Sequence, residues 1–240
     1  LFRSPTSEVF SDACYEAIGG YSRDWGFCWR LRRDALITAG FDMKLLEADG
    51  EPSPAADNAG LHINVLELLA VIVNLWLTLK LVKAQNVVPP GGHVISVRCD
   101  NTSAVSWLRY AARAHSPVVR TLAYIAQRII CLSQTSDVVR IATSHIKGSD
   151  NTIADAMSRP QLHSSLGCAI RFFSLEGICS VYLIHFKLLS TIATAISSTS
   201  TGARFEEAMT ALLNHEPRIL SDGSIESNVL PGFYGKHRRR

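Results

Sequence analysis

Residues 93–108 read HVISVRCDNTSAVSWL, and this stretch decides the fold. His93–Cys99 is rich in β-branched and apolar residues and reads as a strand. Asp100 follows at once, and Asn101–Ala112 then reads as a short helix. A strand that ends in a carboxylate and turns directly into a helix belongs to an α/β sheet. In such sheets ligands bind in the crevice outside the carboxyl ends of the strands. Asp100 has a second reading as a helix cap, because Asp is favoured there.

Working outward, Asn64–Lys83 reads as a long helix with Asn64 as its N-cap, and Pro89-Pro90-Gly91-Gly92 breaks the chain before the strand. Downstream, Ser116–Ser133 is a helix with Ser116 as cap and Pro117 at its first position. Val138–His145 is a strand, and Ser149 or Asp150 caps a last short helix ending near Pro160. Upstream, Glu8–Cys14 reads as a strand, the Gly19-Gly20 pair as a turn, and Gly26–Leu31 as a hairpin-paired second strand. Residues 33–60 are mixed, with room for a third strand at their start and a polar Pro-rich loop (EPSPAADNAG) at their end. Strands first, then alternating helices and strands, predict a five-stranded mixed sheet with helices on both faces. Residues 1–160 form this unit. Residues 161–240 differ in texture: an apolar Ser/Thr-rich segment, a short helix over 203–215 and a basic tail (GKHRRR).

The chain is 47% hydrophobic and 19% charged, a folded rather than a disordered composition. Residues 1–160 hold 16 Lys and Arg against 15 Asp and Glu, and residues 161–240 hold 8 against 6. Such a balance excludes recognition of nucleic acid by bulk charge and requires local patches. The six cysteines are scattered without a C-x-x-C pair, which argues against a zinc site and fits a reducing, intracellular compartment, cytoplasmic or nuclear. The apolar run 178–196 is long enough to span a membrane, but His185 and Lys187 sit within it, so a buried helix or strand pair is expected and no membrane partner. No methionine opens the chain, and the expectation is a piece of a longer polyprotein.

Four carboxylates stand at conspicuous positions. Glu67 is the only charge between Asn64 and Thr78 in an apolar helix, which is expensive unless something compensates it. The alternative is that it points to solvent, with Asn74 and Thr78 near the same face. Asp12 sits inside a strand, where Asp is depleted, or else at a strand end facing water. Asp155 lies one turn into a helix, where the helix dipole alone favours it. Read together they suggest a cluster. Carboxylates held close raise each other's pKa, and a divalent cation removes that repulsion. All-oxygen ligands suit Mg2+ or Mn2+, and two such ions stabilise both the attacking and the leaving oxygen of a phosphodiester displacement.

The segments FSDACYEAIGG, INVLELLAV, CDNTSAVSWL and HIKGSDNTIADAMSRP resemble the ribonuclease H domain of retroelement reverse transcriptases, of the gypsy-like and tyrosine-recombinase (DIRS-like) type. The resemblance covers roughly residues 8–160, four motifs in order. It implies a ribonuclease H-like fold and a two-metal-ion endonuclease that hydrolyses the RNA strand of RNA–DNA hybrids during reverse transcription. It also implies that Asp12, Glu67, Asp100 and Asp155 are both catalytic residues and ligands of two Mg2+ or Mn2+ ions. Asn101, Thr102, Ser103 and Lys147 are candidate substrate contacts, with helix capping an equal reading for the first three. Trp107 reads as core, and Lys147 and Arg159 read more readily as solvated charges. The short loop after His145 has no His beyond Gly148, unlike cellular members, and His145 itself reads as structural or substrate-near. The basic protrusion of cellular members is also missing, since only Tyr110–His115 joins the two middle helices. With so little net charge, reliance on an attached polymerase domain is expected.

A different class remains open: a catalytically silent scaffold or nucleic-acid-binding module of the same origin, against which stands the full set of four acids. Another nuclease or an integrase of this fold is a further alternative, disfavoured by the INVLEL and DNTSAV pair. In residues 161–240, Tyr182 and Tyr234 lack the Arg and His context of a recombinase.

Overall fold

Residues 7–32 fold as an antiparallel meander of β1 (Ser7–Ala13), β2 (Ala17–Ser22) and β3 (Phe27–Arg32). The computed structural model describes residues 5–41, 63–84, 91–113, 116–134, 139–159, 180–184, 186–197 and 202–219. The strand β4 (His93–Cys99) lies parallel to β1, and β5 (Val139–His145) parallel to β4. The result is a mixed open sheet in the order β3-β2-β1-β4-β5, the α/β arrangement expected. Two short strands from the C-terminal segment extend it to seven: β6 (Ser180–Leu183) pairs parallel with β3, and β7 (Arg218–Ile219) antiparallel with β6. The helices are α1 (Arg33–Thr38), α2 (Ile63–Ala84), α3 (Thr102–Arg109), α4 (Pro117–Gln134), α5 (Thr152–Ser158), α6 (Phe186–Ser197) and α7 (Ala203–Asn214).

Four local expectations need correction. Gly19 and Gly20 are not a turn but the centre of β2. The turn lies at 23–26, where the Gly26 amide donates to the Arg23 carbonyl at 3.1 Å and Gly26 adopts φ 62°, which a side chain disfavours. The third strand is complete before Arg33, and Arg33 begins a helix. Asn64 lies inside the first turn of α2 rather than capping it, and Asn151, not Ser149 or Asp150, holds the N-cap position of α5. The loop 51–60, Pro89 and Pro90, His115, Pro160, Tyr234 and the terminal Arg238–Arg240 lie outside the described residues.

The glycine pair sits in a strand because two helices press on it from opposite sides. Successive strand residues face opposite sheet surfaces. A Cβ on Gly19 would lie 2.7 Å from Met157 Cβ of α5, and one on Gly20 would lie 2.6 Å from Asn74 Oδ1 of α2. The next strand repeats the division. Trp29 Nε1 donates to Asn74 Oδ1 at 2.7 Å, while Arg30 donates to the Ala156 and Met157 carbonyls of α5. Helices therefore cover both faces. Gly20→Ala is expected to lower stability by about 1–3 kcal/mol through overpacking against the Asn74–Trp29 hydrogen bond. Urea denaturation reads this directly, and an unchanged midpoint would contradict the packing.

By length and composition α2 could cross a membrane, yet 89% of its most apolar window is buried. A helix apolar all round is a buried helix. It lies on β1 and β2, against α4, and Trp76 Nε1 reaches the Leu212 carbonyl of α7 at 3.0 Å. The apolar run 178–196 includes β6 and α6, and Leu188, Leu189 and Ile192 join the core shared with α2 and α4. Phe205, Met209 and Leu212 of α7 belong to the same core. Each such side chain contributes roughly 1.5–3 kcal/mol when buried. Deleting residues 161–240 should therefore lower the melting temperature by on the order of 10 °C or more, with increased binding of a hydrophobic dye. A truncated chain that melts like the full one would refute this.

Candidate metal centre

The parallel neighbours β1 and β4 end side by side, with Ser11 paired to Cys99. Asp12 is the penultimate residue of β1, and Asp100 follows β4 directly. Glu67 comes from the second turn of α2 and Asp155 from the first turn of α5. The chain thus brings its four conspicuous acids, from four separate elements, to one end of the sheet.

Glu67 does not face solvent. It is 4% exposed, and its companions Asn74 and Thr78 are buried on the same sheet-facing stripe. Asn74 justifies its place by donating to the Phe10 carbonyl at 2.7 Å and accepting from Trp29. Glu67 Oε1 accepts the Ala13 amide at 3.1 Å, and its Oε2 accepts the Cys99 thiol at 3.6 Å. Asp12 is also buried, and its Oδ2 accepts the Ser158 hydroxyl. The Asp100 carboxylate is half-buried, and a Cβ on Gly148 would stand 3.2 Å from its Oδ2. His145 Nε2 pairs with the Asp100 carbonyl at 3.0 Å, which supports the structural reading of that histidine. Arg159 is not merely a solvated charge: its Nη2 lies 2.5 Å from Asp155 Oδ1, one helical turn away.

The short helix α5 is pinned to the sheet at several points. Asn151 Nδ2 donates to the Ser11 carbonyl at 3.1 Å, Cys14 Sγ donates to the Ser158 carbonyl at 3.0 Å, and Arg30 takes the carbonyls of the last turn. A cation at a helix C-terminus is favourable both as a donor and against the helix dipole. Asp155 is therefore held by backbone anchors on both sides of it.

Burial pushes the Asp12 carboxyl up to about 7, against the opposing Ser158 hydrogen bond, and the neighbouring Asp100 and Asp155 charges push the same way. Burial likewise drives Glu67 up to about 9, reinforced by Asp12 and Asp100. Asp100 is raised too, chiefly by burial, with Asp155 adding and His145 and Arg159 opposing. The Cys99 thiol is held well above its ordinary range by burial and by Glu67. Groups this disfavoured as anions, yet converging, are what a cation would relieve. Ligand atoms of Glu67, Cys99 and Asp100 lie within 4.8 Å of one another and could hold a metal ion. Asn151 is fully buried, with Nδ2 bonded to the Ser11 carbonyl, and its Oδ1 has no partner among the described residues.

The expected substrate contacts divide. Asn101 caps α3, its Oδ1 accepting the Ala104 amide at 3.0 Å, and its Nδ2 donates to Asn64 Oδ1 at 2.6 Å. Capping is thus the structural role of its side chain. Thr102 is exposed and Ser103 partly so on the first turn of α3 beside Asp100. Lys147 is exposed just before the turn Gly148–Asp150. Trp107 packs against the core, as expected. Sequence reasoning missed Cys99, Ser158 and Arg30. Only Arg30 carried a signal, a charge inside the buried strand FCWRLR.

No protein-family model, no curated protein and no solved structure matches this chain.

Proposed function

We propose that this protein is a divalent-metal-dependent endonuclease of the ribonuclease H type, hydrolysing the RNA strand of RNA–DNA hybrids during reverse transcription of a retroelement. The observation that carries the reading is the convergence of Asp12, Glu67, Asp100 and Asp155 at the carboxyl ends of two parallel strands. The sheet order β3-β2-β1-β4-β5 and the quoted motifs support it. Oxygen donors of this kind suit Mg2+ or Mn2+. The four acids would hold two such ions, which supply charge stabilisation to the attacking and leaving oxygens of the phosphodiester.

The chain's own groups prepare this site. Ser158 fixes the carboxylate of Asp12, and the Ala13 amide fixes one oxygen of Glu67 while the other accepts the Cys99 thiol. Arg30 and Asn151 hold α5 so that Asp155 keeps its place at the rim. Thr102, Ser103 and Lys147 line the exposed side, where hydroxyls and one cation can meet the backbone of the hybrid. Such contacts read A-form shape and 2′-hydroxyls rather than base sequence. An attached polymerase domain would supply the remaining affinity by proximity.

The test uses the full chain with Mg2+ or Mn2+ and end-labelled RNA–DNA hybrid, duplex DNA and duplex RNA. Cleavage confined to the RNA strand of the hybrid, with 3′-hydroxyl and 5′-phosphate ends, is expected. A folded protein that cuts none of them at high enzyme concentration, even with a polymerase domain restored, would instead favour a silent scaffold.

A further inference from the structure

We propose that Glu67, Cys99 and Asp100 form a capture site for a thiophilic divalent cation, Zn2+ or Cd2+, whose binding inhibits the centre. The site shares two carboxylates with the proposed nuclease centre, so the inhibitory consequence rests on that reading, whereas the binding itself does not.

Consecutive strand residues point apart, yet Cys99 and Asp100 serve one site. The strand stops at Cys99, and the chain turns into the cap of α3, where the Asn101 amide donates to Cys99 Sγ at 3.4 Å. An N–H group on the sulfur is the outer-shell support that metal thiolates use. From the other side, α2 presents Glu67 with Oε1 already engaged by Ala13, so Oε2 faces the sulfur. A tetrahedral ion with metal–sulfur bonds near 2.3 Å and metal–oxygen bonds near 2.1 Å keeps those two ligands about 3.6 Å apart. Cys99 Sγ and Glu67 Oε2 are 3.6 Å apart. Asp100 supplies the third ligand from the half-buried side, within 4.8 Å of both. That leaves a fourth position for water.

Sulfur changes the preference of the centre. Mg2+ takes hard oxygen ligands and gains nothing from a thiol, while Zn2+ and Cd2+ bind thiolate strongly. Binding releases the thiol proton, and the proton held by the Glu67 carboxyl, to solvent. An ion seated on Cys99 draws Glu67 and Asp100 into a compact tetrahedral set and so withholds them from the oxygen-only arrangement. The scattered cysteines do not reveal this site, because its other ligands are carboxylates remote in sequence.

The experiment titrates Cd2+ into the metal-free full chain, kept reduced by a phosphine, and follows thiolate-to-metal ultraviolet absorption. Wild type is expected to show one tight equivalent that Cys99→Ala lacks and that Glu67→Gln weakens by about a hundredfold. Circular dichroism verifies folding, and Cys99→Ser serves if the alanine variant fails to fold. Equal absorption and affinity in wild type and a folded Cys99 variant would overturn the site. In the nuclease assay with Mn2+, Zn2+ should inhibit wild type at least about tenfold more strongly than the Cys99 variant. Equal inhibition overturns the inhibitory role. If wild type cuts no hybrid at all, the nuclease reading and the inhibitory role fall together, and the absorption titration still decides the site.

Discussion

On the proposed nuclease reading, Asp100→Asn is expected to lower the rate of RNA-strand cleavage by about three orders of magnitude, equivalent to about 4 kcal/mol of barrier. The substitution keeps the shape of the side chain and removes one anionic ligand. It should not harm the fold. Asp100 is half-buried, its carboxyl is raised by burial and by Asp155, and its removal takes a like charge out of the cluster. The metal-free variant should therefore melt at the same temperature as wild type or above it. Single-turnover cleavage of a labelled hybrid, beside a thermal melt, separates the two effects. Undiminished cleavage in the variant would remove Asp100 from the reaction, and a lower melting temperature would assign it a structural part.

The second large effect is on stability without metal. Folding raises the Asp12 carboxyl from 3.8 to about 7 and the Glu67 carboxyl from 4.5 to about 9. Across that interval the folded chain holds more protons than the unfolded chain, so stability falls as pH rises from near 4 toward 9. The expected loss in melting temperature is on the order of 10 °C. A divalent cation held, as proposed, by the ionised acids of the folded state alone should recover most of that loss, with the largest gain at the alkaline end. Glu67→Gln, which mimics the protonated form, should flatten the pH dependence. Melting curves with a chelator and with Mn2+ measure all three. A flat or rising pH profile in the chelated protein would mean that the acids do not meet as described.

The two quantities have different causes, and so did their visibility in the sequence. His93–Cys99, the helix after it and Ser116–Ser133 were legible because a β-rich run, a cap and a proline at the first helical position are local signals. The four acids were legible because each broke the character of its own segment. The Gly19-Gly20 pair misled, since glycine serves turns and close contacts alike, and only Met157 and Asn74 reveal which. Arg33 misled because nothing local marks the strand-to-helix change after Arg32. Asn74 and Thr78 looked like a solvent stripe, but their partners are the Phe10 carbonyl, Trp29 and the helix's own backbone. Cys99 as a neighbour of Glu67 depends on how α2 lies on the sheet, which no local pattern encodes. The joining of residues 180–219 to the β3 edge and to α2 was hidden for the same reason. Its contacts reach across more than a hundred residues.

That last feature matters to a chain emerging from a ribosome. Phe27 and Cys28 form an edge that waits for Ser180 and Val181, and Trp76 waits for a carbonyl 136 residues later. Until α6 and α7 leave the exit tunnel, the sheet has an unpaired margin and its longest helix has a bare apolar flank. Such a nascent chain is exposed to association with its neighbours on the same message. Folding dominated by these distant pairings is also slow. Residues 180–219 thus complete a sheet margin and a helix flank made well before them, so yield in a host cell should respond to chaperone supply and to translation speed.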